Sequence, residues 1–364
     1  MSNKLSFNVP LNGVSYGSSS IAILREVYKR GLSPCIFPIS GQVDLSAQKE
    51  DQDFNLWLQS CINKAPKYHK REDWAFRLWH INQSMESVSK KQALYCFHET
   101  DRATDEEINI INNQDVCFVS SKYTKEVFDE NGAKNVVYAP LGFDDYNFYR
   151  TNKNYLNPDV TVFTLVGKWE LRKNTEKILK LWIKRFSNDR RYQLNCLVFN
   201  HFLSPEVNQG LVNQAMDGKR IWNINFFSWL KTNAEVNDLL NASDVNIGGL
   251  SSLEGFNLPL FNSLCLGKWG VVLDAHVHKD YCNEKNSFLV PATGKTVAHD
   301  GVFFHKDIQK FNQGNWFTFD DDAAILAMEK AVEKAKERNI DGEKLKETFT
   351  YCKLVDKIIE QTNN

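Results

Sequence analysis

Glu254 stands in the run Gly248–Ala275, GGLSSLEGFNLPLFNSLCLGKWGVVLDA, where a carboxylate on a glycine loop precedes a helix-forming stretch and then a buried apolar one. Gly255 beside it lets a ligand approach the backbone, and the free amides at the start of the following helix can receive an anion. A second cluster, Gly167-Lys168-Trp169-Glu170-Leu171-Arg172-Lys173-Asn174, puts three cations directly after the apolar run Val160–Val166. Arg can meet a diphosphate with two parallel hydrogen bonds and Lys as a point charge. A third, His98-Glu99-Thr100-Asp101-Arg102, follows the apolar run Ala93–Phe97. Each also has a plainer reading: an acid on a surface loop, a solvated basic loop, and a structural histidine held by its own loop.

What favours chemistry is the position each cluster takes on the elements around it. Asp244–Ile247 reads as a strand, Gly248–Asn257 as a loop, Leu258–Leu266 as a helix and Gly270–Leu273 as the next strand. Glu254 therefore falls where the carboxyl end of a strand hands over to a helix, which is where open α/β sheets bind ligands. The same alternation runs along the chain. Lys4–Pro10 is a strand, Leu11–Ser20 a small glycine-containing loop with Gly13 and Gly17, Ile21–Arg30 a helix closed by Gly31, and Pro34–Ile39 a strand. Further strands are expected at Asp115–Ser121, Tyr192–Phe199 and Ile221–Phe227, and Asn135–Asp144 holds a turn. Helices are expected at Lys122–Asn131, Thr175–Phe186, Pro205–Met216 and Asn233–Asn241, with terminal helices at Asp320–Lys336 and Gly342–Gln361.

With 364 residues, 42% of them hydrophobic and 24% charged, the chain can bury two separate cores. A net charge of -1 offers no global attraction to nucleic acid or membrane. No apolar run approaches the ~20 residues of a membrane span, and MSNKLSFNVP lacks a signal-peptide core, so the expected compartment is the cytoplasm. The eight cysteines are scattered, without CxxC or zinc spacing, and read as reduced core residues. Asp51-Gln52-Asp53 spells a metal-binding DxD, but its place at the head of the helical run Asp51–Asn63 favours a cap. His276 and His278 alternate without a third ligand at a recognised spacing, so no metal is expected.

Taken together, Glu254, Gly255, Phe256, Leu258, Pro259, Leu260 and Gly267, with Lys168 and Lys173 five residues apart, resemble the retaining nucleotide-sugar glycosyltransferases of GT-B fold that include glycogen synthase-like and sucrose synthase-like enzymes. Pro140, Gly142 and Asp144 match the turn that ends that family's first domain. The resemblance covers about Leu5–Val290. It departs at Asn262, where the family has a second Glu that holds the ribose hydroxyls; Asn still hydrogen-bonds hydroxyls but carries no charge.

The resemblance implies two doubly wound Rossmann-like α/β domains facing across a cleft: an acceptor-side domain over residues 1–150, a donor domain over 151–340, and a crossover helix over 341–364 returning to the first. Phe148–Asp159 reads as the linker. The implied reaction moves a sugar from a UDP- or GDP-sugar to an acceptor hydroxyl with retention, without metal or other cofactor. His98, Glu254 and Lys173 would be catalytic. Gly17, Lys168, Arg172, Leu230, Gly255, Phe256, Asn257, Leu258 and Asn262 would bind the donor, with Trp229 and Lys231 beside the base.

Gly13, Asp101, Lys67 and Arg71 would lie on the acceptor side. Lys64–His80 (KAPKYHKREDWAFRLWH) is basic and aromatic together, and reads either as a loop leading into an amphipathic helix or as a surface for phosphates and stacked rings. Three functions remain open: transfer to a saccharide or small-molecule acceptor, a phage-type transfer to modified DNA bases, and nucleotide-sugar binding without catalysis.

Overall fold

The computed structural model describes residues 4–151, 158–304 and 310–363. The chain divides into two compact units. The first holds the residues up to Asn147, the stretch that ends at Gly314, and everything from Phe349 onward; the second holds the rest. The linker expected at Phe148–Asp159 lies in part, over 152–157, outside the described residues. No helix among the described residues is long and apolar enough to cross a membrane.

In the first unit, β1 (Leu5–Leu11), β2 (Ile36–Val43), β3 (Trp74–Leu78), β4 (Lys91–Cys96), β5 (Val116–Val119) and β6 (Val136–Tyr138) form a parallel sheet in the order β2-β1-β3-β4-β5-β6. Its helices are α1 (Ser15–Lys29), α2 (Gln52–Tyr68), α3 (Asp105–Asn112) and α4 (Lys122–Glu130). Such an order needs a crossover after nearly every strand, so both faces are covered and the inner strands are largely apolar, whereas the edge strand β2 exposes its end from Ser40 to Val43.

Three expectations change here. Helix α1 starts at Ser15, not Ile21: Ser19 and Ser20 satisfy their hydroxyls on the carbonyls of Ser15 and Tyr16, both at 2.9 Å, so a serine run that reads as loop sits inside a helix. Gly17 thus lies in the first turn, where a Cβ would collide with the backbone of Asn12. The stretch Lys64–His80 is not a loop leading into a helix: it opens with the last residues of α2, up to Tyr68, and leads into strand β3, whose Arg77 is buried and bonded to Asn8 and to the Gln83 carbonyl.

In the second unit, β7 (Thr161–Val166), β8 (Tyr192–Leu197), β9 (Ile224–Phe226), β10 (Val245–Gly249), β11 (Trp269–Asp274), β12 (Ser287–Val297) and β13 (Asn315–Phe319) take the order β13-β12-β11-β10-β7-β8-β9. Only the β12–β13 pair is antiparallel; β12 reaches Val297 because β13, absent from the sequence reading, pairs with it through Thr296 and Trp316. Helices α5 (Thr175–Phe186), α6 (Pro205–Met216), α7 (Asn233–Asn241), α8 (Leu258–Cys265) and α9 (Asp321–Lys334) accompany these strands. Phe163, Trp182, Phe186 and Tyr192 form the aromatic centre of the core.

The closing helix expected at Gly342–Gln361 is instead three: α10 (Ile340–Glu343), α11 (Leu345–Thr348) and α12 (Tyr351–Thr362). The break falls at Thr350, whose hydroxyl caps α12 at Lys353 N, 3.1 Å away. Helix α12 belongs to the first unit and buries Leu354, Val355 and Ile358, packing on α1. Gly142 makes this docking possible: a Cβ there would strike the backbone of Thr350 and Tyr351.

Candidate functional site

Both sheets contain a place where the chain, having built strands to one side, returns to build on the other. In the second unit it lies between β7 and β10, which are neighbours although β8 and β9 come between them in sequence. Loops leaving two such strands in opposite directions open a crevice at their carboxyl ends. The β7 loop carries Lys168, Glu170, Arg172 and Lys173; the β10 loop carries Glu254.

The two loops are laced together. Asn174, in a left-handed conformation before α5, donates its amide to the Leu250 carbonyl and the Ser252 hydroxyl, both at 2.8 Å, and Ser252 N donates to the Arg172 carbonyl at 2.7 Å. Gly167 has φ +152, and a Cβ would sit 3.2 Å from the Lys173 stem, so the glycine lets that lysine lie across the strand end.

On this frame the charged groups form a chain. Glu254 Oε1 meets Lys173 Nζ at 2.6 Å and Oε2 meets Arg172 Nη1 at 3.2 Å; Arg172 Nη2 continues to Glu170 at 2.8 Å, and Glu170 to Lys168 at 3.1 Å. Burial alone pushes the Glu254 carboxyl up, but Lys173 and Arg172 outweigh it and hold it at about 2. Glu170 moves down for the same reason, with Arg172 the chief counterweight to its burial. Three cations face two carboxylates, leaving one positive charge in surplus for an incoming anion.

Beneath Glu254, Asn257 has φ +64 and heads α8. Its amide donates to the Gly248 carbonyl at 3.2 Å and to His278 Nε2 at 3.1 Å, while His278 Nδ1 donates to the Leu273 carbonyl at 3.1 Å. That pattern fits one neutral tautomer, and burial lowers the His278 pKa to about 4. His276 Nε2 faces the Ser251 carbonyl at 3.2 Å, while His276 Nδ1, Ser251 Oγ and Asn262 Oδ1 are buried without a hydrogen-bond partner. Among the described residues no group of three or more His, Cys, Asp or Glu is placed to hold a metal ion.

This architecture has known counterparts. The sucrose-phosphate synthase of Thermosynechococcus elongatus superposes with a TM-score of 0.70 at 12% identity, over 98% of this chain and 97% of that one. Anabaena HepE in complex with UDP and glucose gives 0.66 at 12% identity, over 99% of both chains. The α,α-trehalose 6-phosphate synthase of Burkholderia multivorans gives 0.64 at 10%, over 100% of this chain and 98% of that one.

The chain has the GT-B fold. No family model matches its sequence, and no curated protein does. At these identities the likeness is one of fold, and the GT-B frame has to be furnished from this chain's own residues.

In the second GT-B unit, Lys168, Arg172, Lys173 and Glu254 come together, with Gly255, Asn257 and Leu258 continuing the same loop into α8. Phe256 turns inward against Phe261 and Tyr281 and contributes packing and its carbonyl, which accepts from the Tyr281 hydroxyl at 2.7 Å. Asn262 is buried in the second turn of α8. Leu230 is half-buried beyond β9, next to an exposed Trp229 that meets His201 edge-on.

In the first unit, His98 is buried against Phe128. Its Nε2 is engaged by the Arg102 carbonyl at 3.0 Å and the Thr100 hydroxyl at 3.1 Å, and burial lowers its pKa. One ring nitrogen is thus committed to its own loop. Asp101 is half-buried beside Gly314, and Gly13 is exposed after β1. Lys67 and Arg71 are exposed at the opposite edge from these: α2 runs back against the strands and delivers them to the amino end of β3.

Asp51 caps α2 by accepting from Phe54 N at 3.0 Å and pairs with Arg25 at 2.9 Å. Two participants escaped the sequence reading, Glu170 and the Asn257–His278 pair. An acid two residues after Lys168 and two before Arg172 was a visible signal for the first; nothing local announces the second.

Proposed function

We propose that the protein is a glycosyltransferase that takes its sugar from a nucleotide diphosphate donor and transfers it with retention of configuration, without a metal held by the protein. The observation that carries this reading is the Glu254–Lys173–Arg172 cluster at the β7/β10 switch point of a GT-B chain. In this role Lys168, Arg172 and Lys173 meet the diphosphate, whose negative charge grows as the sugar leaves. Glu254, kept ionised by its neighbours, accepts hydrogen bonds from the donor sugar's hydroxyls, and Asn262 bonds the ribose.

The acceptor hydroxyl oxygen attacks the anomeric carbon on the face the diphosphate leaves. The carbon–oxygen bond to phosphate breaks as the new one forms, and the hydroxyl proton passes to the departing phosphate oxygen. HepE, solved with UDP and glucose, supports a UDP-sugar as the first donor to try.

The test is thermal stabilisation by UDP, GDP, ADP and their sugar conjugates, with EDTA and then with magnesium, followed by donor hydrolysis. One nucleotide raising the melting temperature in EDTA, with Lys173→Ala removing the rise, supports the reading. No shift at millimolar nucleotide overturns it. The uncharged Asn262, in the place of the second Glu of the family that the sequence resembles, favours a second reading, a module that binds the donor without turnover. Nucleotide binding with neither transfer nor hydrolysis would select that one.

A further inference from the structure

The first unit has its own switch point, between β1 and β3, because the chain leaves β1 toward β2 and returns on the other side. Four rings gather at that carboxyl edge. Tyr16 follows β1, Trp79 and His80 follow β3, and Phe97 follows β4. Tyr16 is the hub: its ring lies 5.9 Å from Trp79 and 4.9 Å from Phe97, both edge-on, and 4.5 Å from His80.

Polar bonds hold the rings in place. Trp79 Nε1 donates to Gln83 Oε1 at 2.6 Å, and the Tyr16 hydroxyl lies 3.3 Å from His80 Nδ1. The core rings Phe76, Tyr95 and Phe118 are fully buried, whereas Tyr16, Trp79 and Phe97 are half-exposed and His80 is exposed.

The charges around this platform decide what it takes. Arg71 and Lys90 lie at the amino ends of β3 and β4, where Lys90 N bonds the Arg71 carbonyl at 2.8 Å, and Lys91 lies over the Trp74 ring at 5.1 Å. Five residues of strand separate that edge from Trp79, roughly 15 Å. A nucleotide whose phosphate meets those cations cannot itself stack its base on Trp79. The nearer Arg77 is buried and engaged by Asn8 and Gln83. The four rings carry no fixed charge, and the charged groups beside them include the acids Glu86, 3.8 Å from Arg77, and Glu99, two residues after Phe97; such a platform suits a neutral ring with a C–H face and a hydroxyl rim.

We propose that Tyr16, Trp79, His80 and Phe97 form an acceptor subsite that stacks the pyranose ring of a neutral saccharide. The word acceptor rests on the glycosyltransferase reading; the stacking of a saccharide does not, and the two fail separately.

The test is saturation-transfer-difference NMR on the full chain with methyl α-glucopyranoside, methyl β-galactopyranoside, N-acetylglucosamine, sucrose and a short oligothymidylate as probes. UDP stabilisation is measured in parallel. The expected result is ring C–H signals from at least one saccharide, reduced about fivefold in Trp79→Ala and in Tyr16→Ala. Trp222→Ala, which removes an exposed ring of the second unit, leaves them unchanged, and UDP stabilisation is equal in all variants.

Should Trp79→Ala not fold, His80→Ala, which removes an exposed ring, carries the test with a loss of about twofold. No saccharide signal from the wild type, or signals that survive these substitutions, overturns the subsite. So does a Trp79-dependent signal from the oligothymidylate alone. Loss of UDP stabilisation in the wild type with saccharide signals intact would sink the donor reading and leave the stacking platform standing.

Discussion

At the β7/β10 switch point, Glu254, Lys173, Arg172, Glu170 and Lys168 form a continuous chain of ion pairs; at the β1/β3 switch point, Tyr16, Trp79, His80 and Phe97 form ring contacts. The two edges share a topological origin and differ in chemistry. Paired charges suit a ligand whose own charge changes during reaction, because they can redistribute their bonds as it develops. Rings suit a ligand whose charge stays constant and whose orientation has to be fixed. The crossover is a property of the backbone, and what each crevice binds is decided by the few residues after each strand.

The sharpest way to break this contrast is to remove one side of it. Lys173→Ala is expected to lower donor-dependent turnover by about 10²–10³-fold, while the saccharide NMR signals persist. A steady-state assay read beside those spectra checks both halves. Equal loss of both would mean that the two edges are not independent.

Next in size is Gly142→Ala, which drives a side chain into the backbone of Thr350 and Tyr351 and undoes the seating of α12. A loss of about 3 kcal/mol is expected in urea unfolding. Loss of the saccharide signal ahead of UDP binding on partial denaturation would show that the first unit bears the damage.

Two buried carboxyls, one in each unit, differ in the sign of their acid response. Glu254 is held at about 2 by Lys173 and Arg172 against its burial, so its contribution is full above an unfolded value near 4.3 and vanishes as pH falls through 2. Asp144, in the first unit, is raised by burial despite its bonds to Asn147, so its contribution is full below the unfolded value and is lost as pH rises through the raised one. Unfolding followed from pH 5 to 2 should therefore lose its steepest part in Glu254→Gln. In Asp144→Asn, acid should weaken the protein more steeply than in the wild type. The smallest effect expected is that of Thr232→Ala, which removes the capping box with Glu235 at the head of α7. It should cost about 1 kcal/mol, a few degrees in the melting temperature.

Helices Thr175–Phe186 and Asn233–Asn241 have the bounds expected of them, because their apolar spacing agrees with where they pack. Strand β3 was hidden by Arg77, a charge inside an apolar run that its partners Asn8, Gln83 and Glu86 make tolerable. The start of α1 was hidden by serines that bond backward once the helix exists. The break before α12 depends on a docking surface around Gly142 that lies two hundred residues away in sequence.

The cations after β7 were visible because they follow a strand in sequence. The partnership of Asn257 with His278 was not, since it joins a loop and a later turn through space. The ring platform was invisible for the same reason: Tyr16, Trp79 and Phe97 become neighbours only when β1, β3 and β4 align.

The return of α12 to the first unit makes folding wait on synthesis. The second unit lies within the sequence of the first, so a ribosome must deliver all of the former before the latter can be completed. Until Leu354, Val355 and Ile358 emerge, the surface of α1 that they cover stays open to water and to other chains. A chain truncated before Phe349 and released from the ribosome should therefore present a finished second unit and an unfinished first one, and be a substrate for chaperones on account of the first alone.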